Sequence, residues 1–319
     1  MHAGSPMRAV VCAYHNVGVR CLAALLAHGV EVPLVVTHTD ASGENIWFDS
    51  VAELCRRAGI DCLVLAEPDA EGMAARLRAV APDMLFSFYF RYMLPPAILR
   101  LPARGAFNMH GSLLPRYRGR VPVNWAVLHG ESETGATLHA MVEKPDAGDI
   151  YDQQAVPILP NDTAHDVFQK VTTAAEMVMC RVLPALLAGR ASGRAQELSQ
   201  GSYFSGRKPE DGRIDWSLGA WALHNLVRAV APPYPGAFAD VGSRRLRLLR
   251  TWWSGPPPLA GQPAPAAAGR AALAVRGDTL QLRCADGGAL TVLDAELDGT
   301  PLTAANFRQR FGADTLHPV

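Results

Sequence analysis

The chain has 319 residues and a mass of 34.2 kDa, enough for about two domains of ~100–200 residues each. Hydrophobic residues make up 49% and charged residues 19%, a balance that fills a core and excludes a disordered chain. Thirty Lys and Arg balance thirty Asp and Glu, which excludes a generally basic nucleic-acid binder while leaving room for a local patch. The longest apolar runs, such as Cys21 to Ala27, fall far short of the ~20 residues that span a bilayer. Residues Met1 to Arg8 contain no apolar signal core, so a cytoplasmic protein is expected. The six cysteines (12, 21, 55, 62, 180 and 284) form no Cys-x-x-Cys pair and sit in apolar stretches, as reduced core thiols do.

In chain order, strands alternate with helices. Ala9 to Tyr14 is a buried-strand run, and a helix is expected from about Val19 to Gly29. Pro33 to Thr37 is the next strand, followed by a helix from Ile46 to Ala58 that Gly59 ends. Cys62 to Leu65 and Met84 to Tyr89 are further strands, with a helix from Ala70 to Val80 between them. Such near-continuous apolar strands imply a doubly wound α/β domain with a mainly parallel sheet covered on both faces. Ligands in such sheets lie beyond the carboxyl ends of the strands.

Phe107 to His110 then reads as a short strand breaking into a loop rich in Pro, Gly and Arg. A helix from Val121 to His129, strands Ala136 to Val142 and Tyr151 to Val156, and a long helix from an Asp162/Thr163 cap to Ala188 follow. Gly189 to Gly206 is small and polar, and the domain joint is placed there: residues 1–205 form the α/β domain and 206–319 a small C-terminal β-barrel of the OB type. Within the barrel, Gly261 to Gly269 is expected to be a loop.

Absent motifs narrow the chemistry. The sequence has no Gly-x-x-x-x-Gly-Lys-Ser/Thr loop, no Gly-x-Gly-x-x-Gly after the first strand, no His-Glu-x-x-His and no Gly-x-Ser-x-Gly. The informative segment is Phe107-Asn108-Met109-His110-Gly111-Ser112-Leu113-Leu114-Pro115-Arg116-Tyr117-Arg118-Gly119-Arg120. Asn108 and His110 are two apart on a strand and share a face. An amide donor beside an imidazole can hold a developing oxyanion while the imidazole handles protons. Glu143 to Ile150 carries Asp146 and Asp149 in a turn after a strand, and spacing alone leaves open which would reach the imidazole. His15 and His38 close the first two strands, and Arg116, Arg118 and Arg120 crowd one loop, where solvated or turn-forming roles compete with ligand contacts. Asn225 and Arg228, three apart on a helix, suit a tie between the two domains. Arg244, Arg245, Arg247 and Arg250 make a basic strand with Trp252 and Trp253 beside it, a weak signal for nucleic acid.

Asn-x-His-x-Ser-Leu-Leu-Pro-x-Tyr-Arg-Gly followed by Asp-x-Gly-Asp resembles the formyltransferases that use 10-formyltetrahydrofolate. Within that family, Ala13 to Gly18, Thr37 to Asp40, Phe86 to Arg91, Arg118 to Trp125, Glu133 to His139 and His224 to Val230 are most similar to the formyltransferase domain acting on UDP-4-amino-4-deoxy-L-arabinose. The resemblance covers about residues 8–300. It implies an enzyme that formylates the amine of a nucleotide-linked amino sugar, in lipid A biosynthesis and polymyxin resistance. It also implies a catalytic set of Asn108, His110 and Asp146, and donor contacts at Tyr92, Met93, Leu94, Arg120, Val142, Glu143, Lys144, Pro145 and Asp146. Val121 stands where a small Ala is expected, and Tyr92 to Pro96 departs from the expected sequence. The co-substrate would be 10-formyltetrahydrofolate, with no metal. The expected partner is a small nucleotide sugar, with no nucleic acid, no membrane, and a homo-oligomer left open. The rivals are a methionyl-tRNA formyltransferase, which shares the catalytic set but holds a polyanion, and a catalytically silent folate- or nucleotide-binding module.

Overall fold

A computed structural model describes residues 6–258 and 269–318. The start of the expected signal-free N-terminus and most of the expected Gly261–Gly269 loop lie outside the described residues. The chain divides into two compact units, one of residues 1–122, 134–156 and 169–205 and one of residues 123–133, 157–168 and 206–319.

The elements, in order, are β1 (Arg8–Ala13), α1 (His15–Ala27), β2 (Glu31–His38), α2 (Val51–Ala58), β3 (Cys62–Leu65), α3 (Ala70–Val80), β4 (Met84–Phe88), α4 (Pro96–Leu99) and β5 (Ala106–His110). There follow β6 (Arg118–Gly119), α5 (Pro122–Leu128), β7 (Glu133–Ala140), β8 (Ile150–Pro157), α6 (Ala164–Leu187) and β9 (Tyr203–Phe204). The first unit's sheet runs β3-β2-β1-β4-β5-β7-β8. Its β1–β2, β1–β4, β2–β3 and β4–β5 pairs are parallel, and β5–β7 is antiparallel. Strand order reverses between β1 and β4, which places the crevice of this doubly wound sheet beyond their carboxyl ends. Phe86 and Phe88 are fully buried on β4 and stack on one another, each contributing about 1.5–3 kcal/mol of apolar burial. The helices start where side chains satisfy free N–H groups: Asp69 accepts from Gly72 at 2.9 Å, and Thr163 and Asp166 cap α6 reciprocally.

Two helix boundaries differ from expectation. Helix α1 begins at His15, directly after β1. Helix α2 begins only at Val51, where Ser50 Oγ accepts from the Glu53 N–H. The apolar Ile46-Trp47-Phe48 run looks helical in sequence, but Phe48 and Trp47 pack on His15 at 3.9 and 4.5 Å between ring centroids. Asn16 Oδ1 also takes the Asp49 N–H at 2.7 Å, so tertiary contacts override local pattern.

The second unit carries α7 (Ala220–Ala229), β10 (Ala237–Val241), β11 (Arg244–Trp252), β12 (Ala272–Arg276), β13 (Thr279–Arg283), β14 (Ala289–Leu297), β15 (Thr300–Pro301), α8 (Ala304–Phe311) and β16 (Thr315–Leu316). Its antiparallel sheet, β10-β11-β14-β13-β12-β16, curls into a half-barrel over Leu223, Val227, Leu248, Leu273 and Phe307. Three of the four arginines of β11 are paired with acids: Arg244 with Asp298 at 2.7 Å, Arg245 with Asp240 at 3.0 Å and Arg247 with Glu296 at 3.7 Å. Asn225 and Arg228 bond to each other, and the guanidinium also donates to the Leu159 and Asp162 carbonyls, all within this unit. Cys12, Cys21, Cys55 and Cys284 are buried free thiols, whereas Cys180 is exposed on α6 rather than in the core. Among the described residues no helix is long and apolar enough to cross a membrane.

Candidate active site

Strand β5 presents Asn108 and His110 to one face, and its antiparallel register with β7 sets Asn108 opposite His139 and His110 opposite Thr137. Asp146 arrives on the turn after β7. His110 Nδ1 lies 3.6 Å and His139 Nε2 3.5 Å from the same carboxylate oxygen, Asp146 Oδ1. These are ion-pair distances slightly longer than a good hydrogen bond. The other oxygen, Oδ2, accepts the Gly119 N–H at 2.9 Å. Burial works to raise the Asp146 pKa, but His110, His139 and the Gly119 N–H outweigh it and hold the carboxyl well below the usual carboxylate range. Asp149 is exposed, so the structure separates the two carboxylates that spacing left open.

Each imidazole is oriented from its far side. His110 Nε2 is 2.8 Å from the Tyr117 carbonyl and His139 Nδ1 is 2.8 Å from the Ala140 carbonyl. A carbonyl only accepts, so both of those nitrogens carry a proton. Both imidazoles therefore turn their second nitrogen towards Asp146. Asn108 Nδ2 is 3.1 Å from His139 Nε2.

The loop from Gly111 to Arg120 is held by the segment expected to be a joint. Strand β9 pairs in parallel with β6, and the Arg118 and Arg120 N–H groups donate to the Ser202 and Phe204 carbonyls at 3.0 Å each. Ser202 Oγ accepts the Tyr117 N–H at 2.8 Å, and Phe204 stacks on the Tyr117 ring. Gln196 Nε2 donates to the Asp146 and Gly148 carbonyls at 3.1 and 2.6 Å, bracing the carboxylate turn. Tyr117, Val121 and Asp146 all have positive φ (57°, 47° and 52°), conformations that non-glycine residues hold only when their surroundings over-determine them.

Asn108, His110 and Asp146 are thus brought together, with His139 added. Sequence spacing missed His139 because its place depends on the β5–β7 register. Of the other sequence candidates, Leu94 is buried in the apolar cluster behind β4, with Tyr92 packed against it. Met93, Arg120, Val142, Glu143 and Lys144 are exposed, and Pro145 is half-buried. Arg118 is buried, whereas Arg116 is exposed and lies over the Tyr117 ring. His38 is buried against the Tyr14 ring at 3.9 Å, where burial pushes its pKa down. No group of three or more His, Cys, Asp or Glu among the described residues has an arrangement that could hold a metal ion.

The same architecture is found in solved structures. An N-formyltransferase from Helicobacter canadensis, in complex with folinic acid and dTDP-3-aminofucose, superimposes with a TM-score of 0.69 at 19% identity, over 90% of this chain and 99% of that one. WlaRD, a sugar 3N-formyl transferase solved with dTDP and 5-N-formyl-THF, gives 0.69 at 19% identity over 93% and 100%. HypX from Aquifex aeolicus, in complex with tetrahydrofolic acid, gives 0.63 at 19% identity over 96% of this chain and 48% of that one. At such identities the likeness establishes the fold. Sequence establishes the family: residues 19–183 match the formyl transferase family and residues 207–312 its C-terminal domain, and the chain belongs to that formyl transferase family.

Proposed function

We propose that this enzyme transfers the formyl group of 10-formyltetrahydrofolate to the primary amine of a nucleotide-linked amino sugar, specifically UDP-4-amino-4-deoxy-L-arabinose, the substrate formylated in lipid A modification and polymyxin resistance. The observation that carries the reaction is the cluster of Asn108, His110 and Asp146 on the face of β5. The sugar rests on six stretches of sequence, from Ala13 to Gly18 through to His224 to Val230, and the nucleotide-sugar class also on the ligands of the two sugar formyltransferases of like fold.

In this reading the unprotonated amine attacks the formyl carbon, a new C–N bond forms, and the bond to folate N10 breaks. Asn108 donates an N–H to the carbonyl oxygen as charge develops on it. His110 carries the proton lost by the amine to the departing nitrogen, and Asp146 orients the ring. Tyr92, Met93, Leu94, Arg120 and residues 142–146 would hold the donor. Buried Leu94 with Tyr92 beside it supplies an apolar seat, and the exposed Met93 and Val142 side chains leave apolar surface to cover. The enzyme is expected to work in the cytoplasm. Acids beside the arginines of β11 and a net charge of zero favour a sugar nucleotide over tRNA.

The test is formyl transfer from 10-formyltetrahydrofolate to UDP- and dTDP-linked 3-amino and 4-amino sugars and to charged initiator tRNA. Preference for the UDP-linked 4-amino pentose supports the proposal. Preference for a dTDP sugar overturns the sugar, preference for tRNA overturns the substrate class, and transfer to none supports the silent binding module.

A further inference from the structure

Asn108 and His110 stand on β5, but no strand holds Asp146. It sits in the turn between β7 and β8 at φ of 52°, where a residue with a Cβ stays only if its surroundings fix it. Its carboxylate is tied to the site through the Gly119 N–H and the two imidazoles. Among the described residues its main chain has one hydrogen bond, from Gln196 Nε2 to the Asp146 carbonyl at 3.1 Å. The same nitrogen donates to the Gly148 carbonyl at 2.6 Å. The partners settle which way that amide faces. Both are carbonyl oxygens, which only accept, so the group between them is the NH2, and a turned-over amide would set three oxygens together. Gln196 Oε1 is shut off from water and takes no hydrogen bond, so the side chain acts through its donor alone.

The chain leading to Gln196 is fixed separately, within the same unit as the turn. Arg194 exchanges both main-chain hydrogen bonds with Ile150 at 2.8 Å each, which runs this segment antiparallel beside the start of β8. The far end of the turn closes on β7, where the Ala140 N–H donates to the Asp149 carbonyl at 2.8 Å and Gly148 leaves no room for a Cβ against the Ala140 carbonyl. We propose that Gln196 is a positioning residue for formyl transfer: by donating to the Asp146 and Gly148 carbonyls it holds the turn in the left-handed conformation that aims the Asp146 carboxylate at His110. This role rests on the assignment of Asp146 and His110 to the chemistry. Without the donor, two carbonyls lose their partner, Asp146 relaxes towards negative φ, and its carboxylate leaves the Gly119 N–H and His110 together.

The test combines variants with a reading of the turn that needs no turnover. Gln196→Met keeps the length and bulk of the side chain and removes the donor, while Gln196→Glu keeps its shape and sets a third oxygen against the two carbonyls. Each should lower kcat roughly tenfold or more, tenfold being the value of about one net hydrogen bond. In an Asp146→Asn background, Gln196→Met should add little, because the charge it places is gone. As pH falls from about 8 to 5, kcat of Gln196→Glu should climb relative to Gln196→Met, since an acid facing carbonyls takes up a proton early and regains a donor. Hydrogen exchange at the Gly119 N–H reports where the carboxylate lies. Gln196→Met should speed it at least tenfold, while the Arg118 N–H, bonded to the Ser202 carbonyl at 3.0 Å, keeps its protection. Unchanged exchange at Gly119, equal loss of protection at Arg118, parental kcat in Gln196→Met, or a full further loss in the Asp146→Asn background overturns the proposal. Undiminished transfer by Asp146→Asn and His110→Ala would instead overturn the underlying catalytic reading, an outcome separable from exchange at Gly119.

Discussion

Gly119→Ala tests whether the segment after α6 supports the site or merely passes it. Gly119 has φ of 97°, and a Cβ built on it would lie 2.2 Å from the Phe204 carbonyl oxygen and 3.2 Å from the Tyr203 ring. The first contact is with backbone and cannot be relieved by a rotamer change, so β9 has to leave β6. An L-residue in this region of φ costs about 1–3 kcal/mol. Separation of the strands gives up the Arg120 N–H to Phe204 bond, worth about 1 kcal/mol. A shifted Gly119 N–H also deserts Asp146 Oδ2, a charge-assisted bond worth about 1.5–3 kcal/mol. The expected cost is therefore about 3.5–7 kcal/mol, shared between global stability and displacement of the Gly111–Arg120 loop. Gly29→Ala is the control: its φ is 73°, but an added Cβ meets nothing within 4 Å, so only backbone strain remains. Urea denaturation and kcat measured on both variants separate the contributions. Gly119→Ala should be the more destabilised and should lose at least tenfold in kcat, while Gly29→Ala keeps wild-type kcat. Equal destabilisation with undiminished kcat would refute the claim that β9 and Asp146 depend on this glycine.

Other expectations follow from the same geometry. His110→Ala should fold normally and lose about 100-fold or more in kcat, the value of a general acid–base group, and near wild-type turnover would remove His110 from the chemistry. Asp146→Asn should cut kcat severely because it removes the charge facing both imidazoles, whereas Asp149→Asn, on an exposed side chain, should do little; the reverse ranking would invalidate this account of the turn. His224, fully buried between Thr251 and the Pro160 carbonyl, is pushed down to about 4 by burial, against about 6.5 unfolded. Between those values the unfolded chain binds a proton that the folded chain refuses, so stability should fall by about 3 kcal/mol as pH drops from about 6.5 to 4. Urea titrations across that range should show the slope in the parent and not in His224→Gln, and parallel slopes would show that His224 does not cause it.

Elements with a strong local signal were legible in the sequence. The bounds Cys62–Leu65 and Ala70–Val80 are those that the sequence pattern indicates. The shared face of Asn108 and His110 follows from the two-residue period of a strand. The features that escaped depend on tertiary contacts. Ile46 to Phe48 has helical apolarity, yet Trp47 and Phe48 pack on His15 instead. Gly189 to Gly206 has a linker's composition, yet the Gln196 and Ser202 side chains and the Ser202 and Phe204 carbonyls make directed contacts to the site, all of them to backbone atoms that leave no mark on sequence. His139 is one polar residue in a strand until the β5–β7 register sets it against Asn108. Backbone partners and strand register are not local properties, and a single sequence encodes them only through the whole fold.

Backbone strain beside the candidate site yields one further expectation. Val121 is β-branched, 40% exposed, and held at φ of 47°, where its Cβ crowds the backbone at a cost of about 1–2 kcal/mol. It follows Arg120, whose N–H is tied to Phe204, and precedes Pro122 at the start of α5, so the chain cannot relax at either neighbour. Asparagine visits this region readily, and replacing an exposed valine forfeits little apolar burial. Val121→Asn should therefore stabilise the protein by about 1 kcal/mol, raising its urea midpoint without changing the slope of the transition. Glycine relieves the same strain but increases the freedom of the unfolded chain, so Val121→Gly should gain less. Val142 is 46% exposed and does not have positive φ, so Val142→Asn should yield no gain and controls for the change in polarity. If Val121→Asn is no more stable than its parent while Val142→Asn is unchanged, the left-handed conformation at Val121 costs nothing, and strain has no part in shaping this loop.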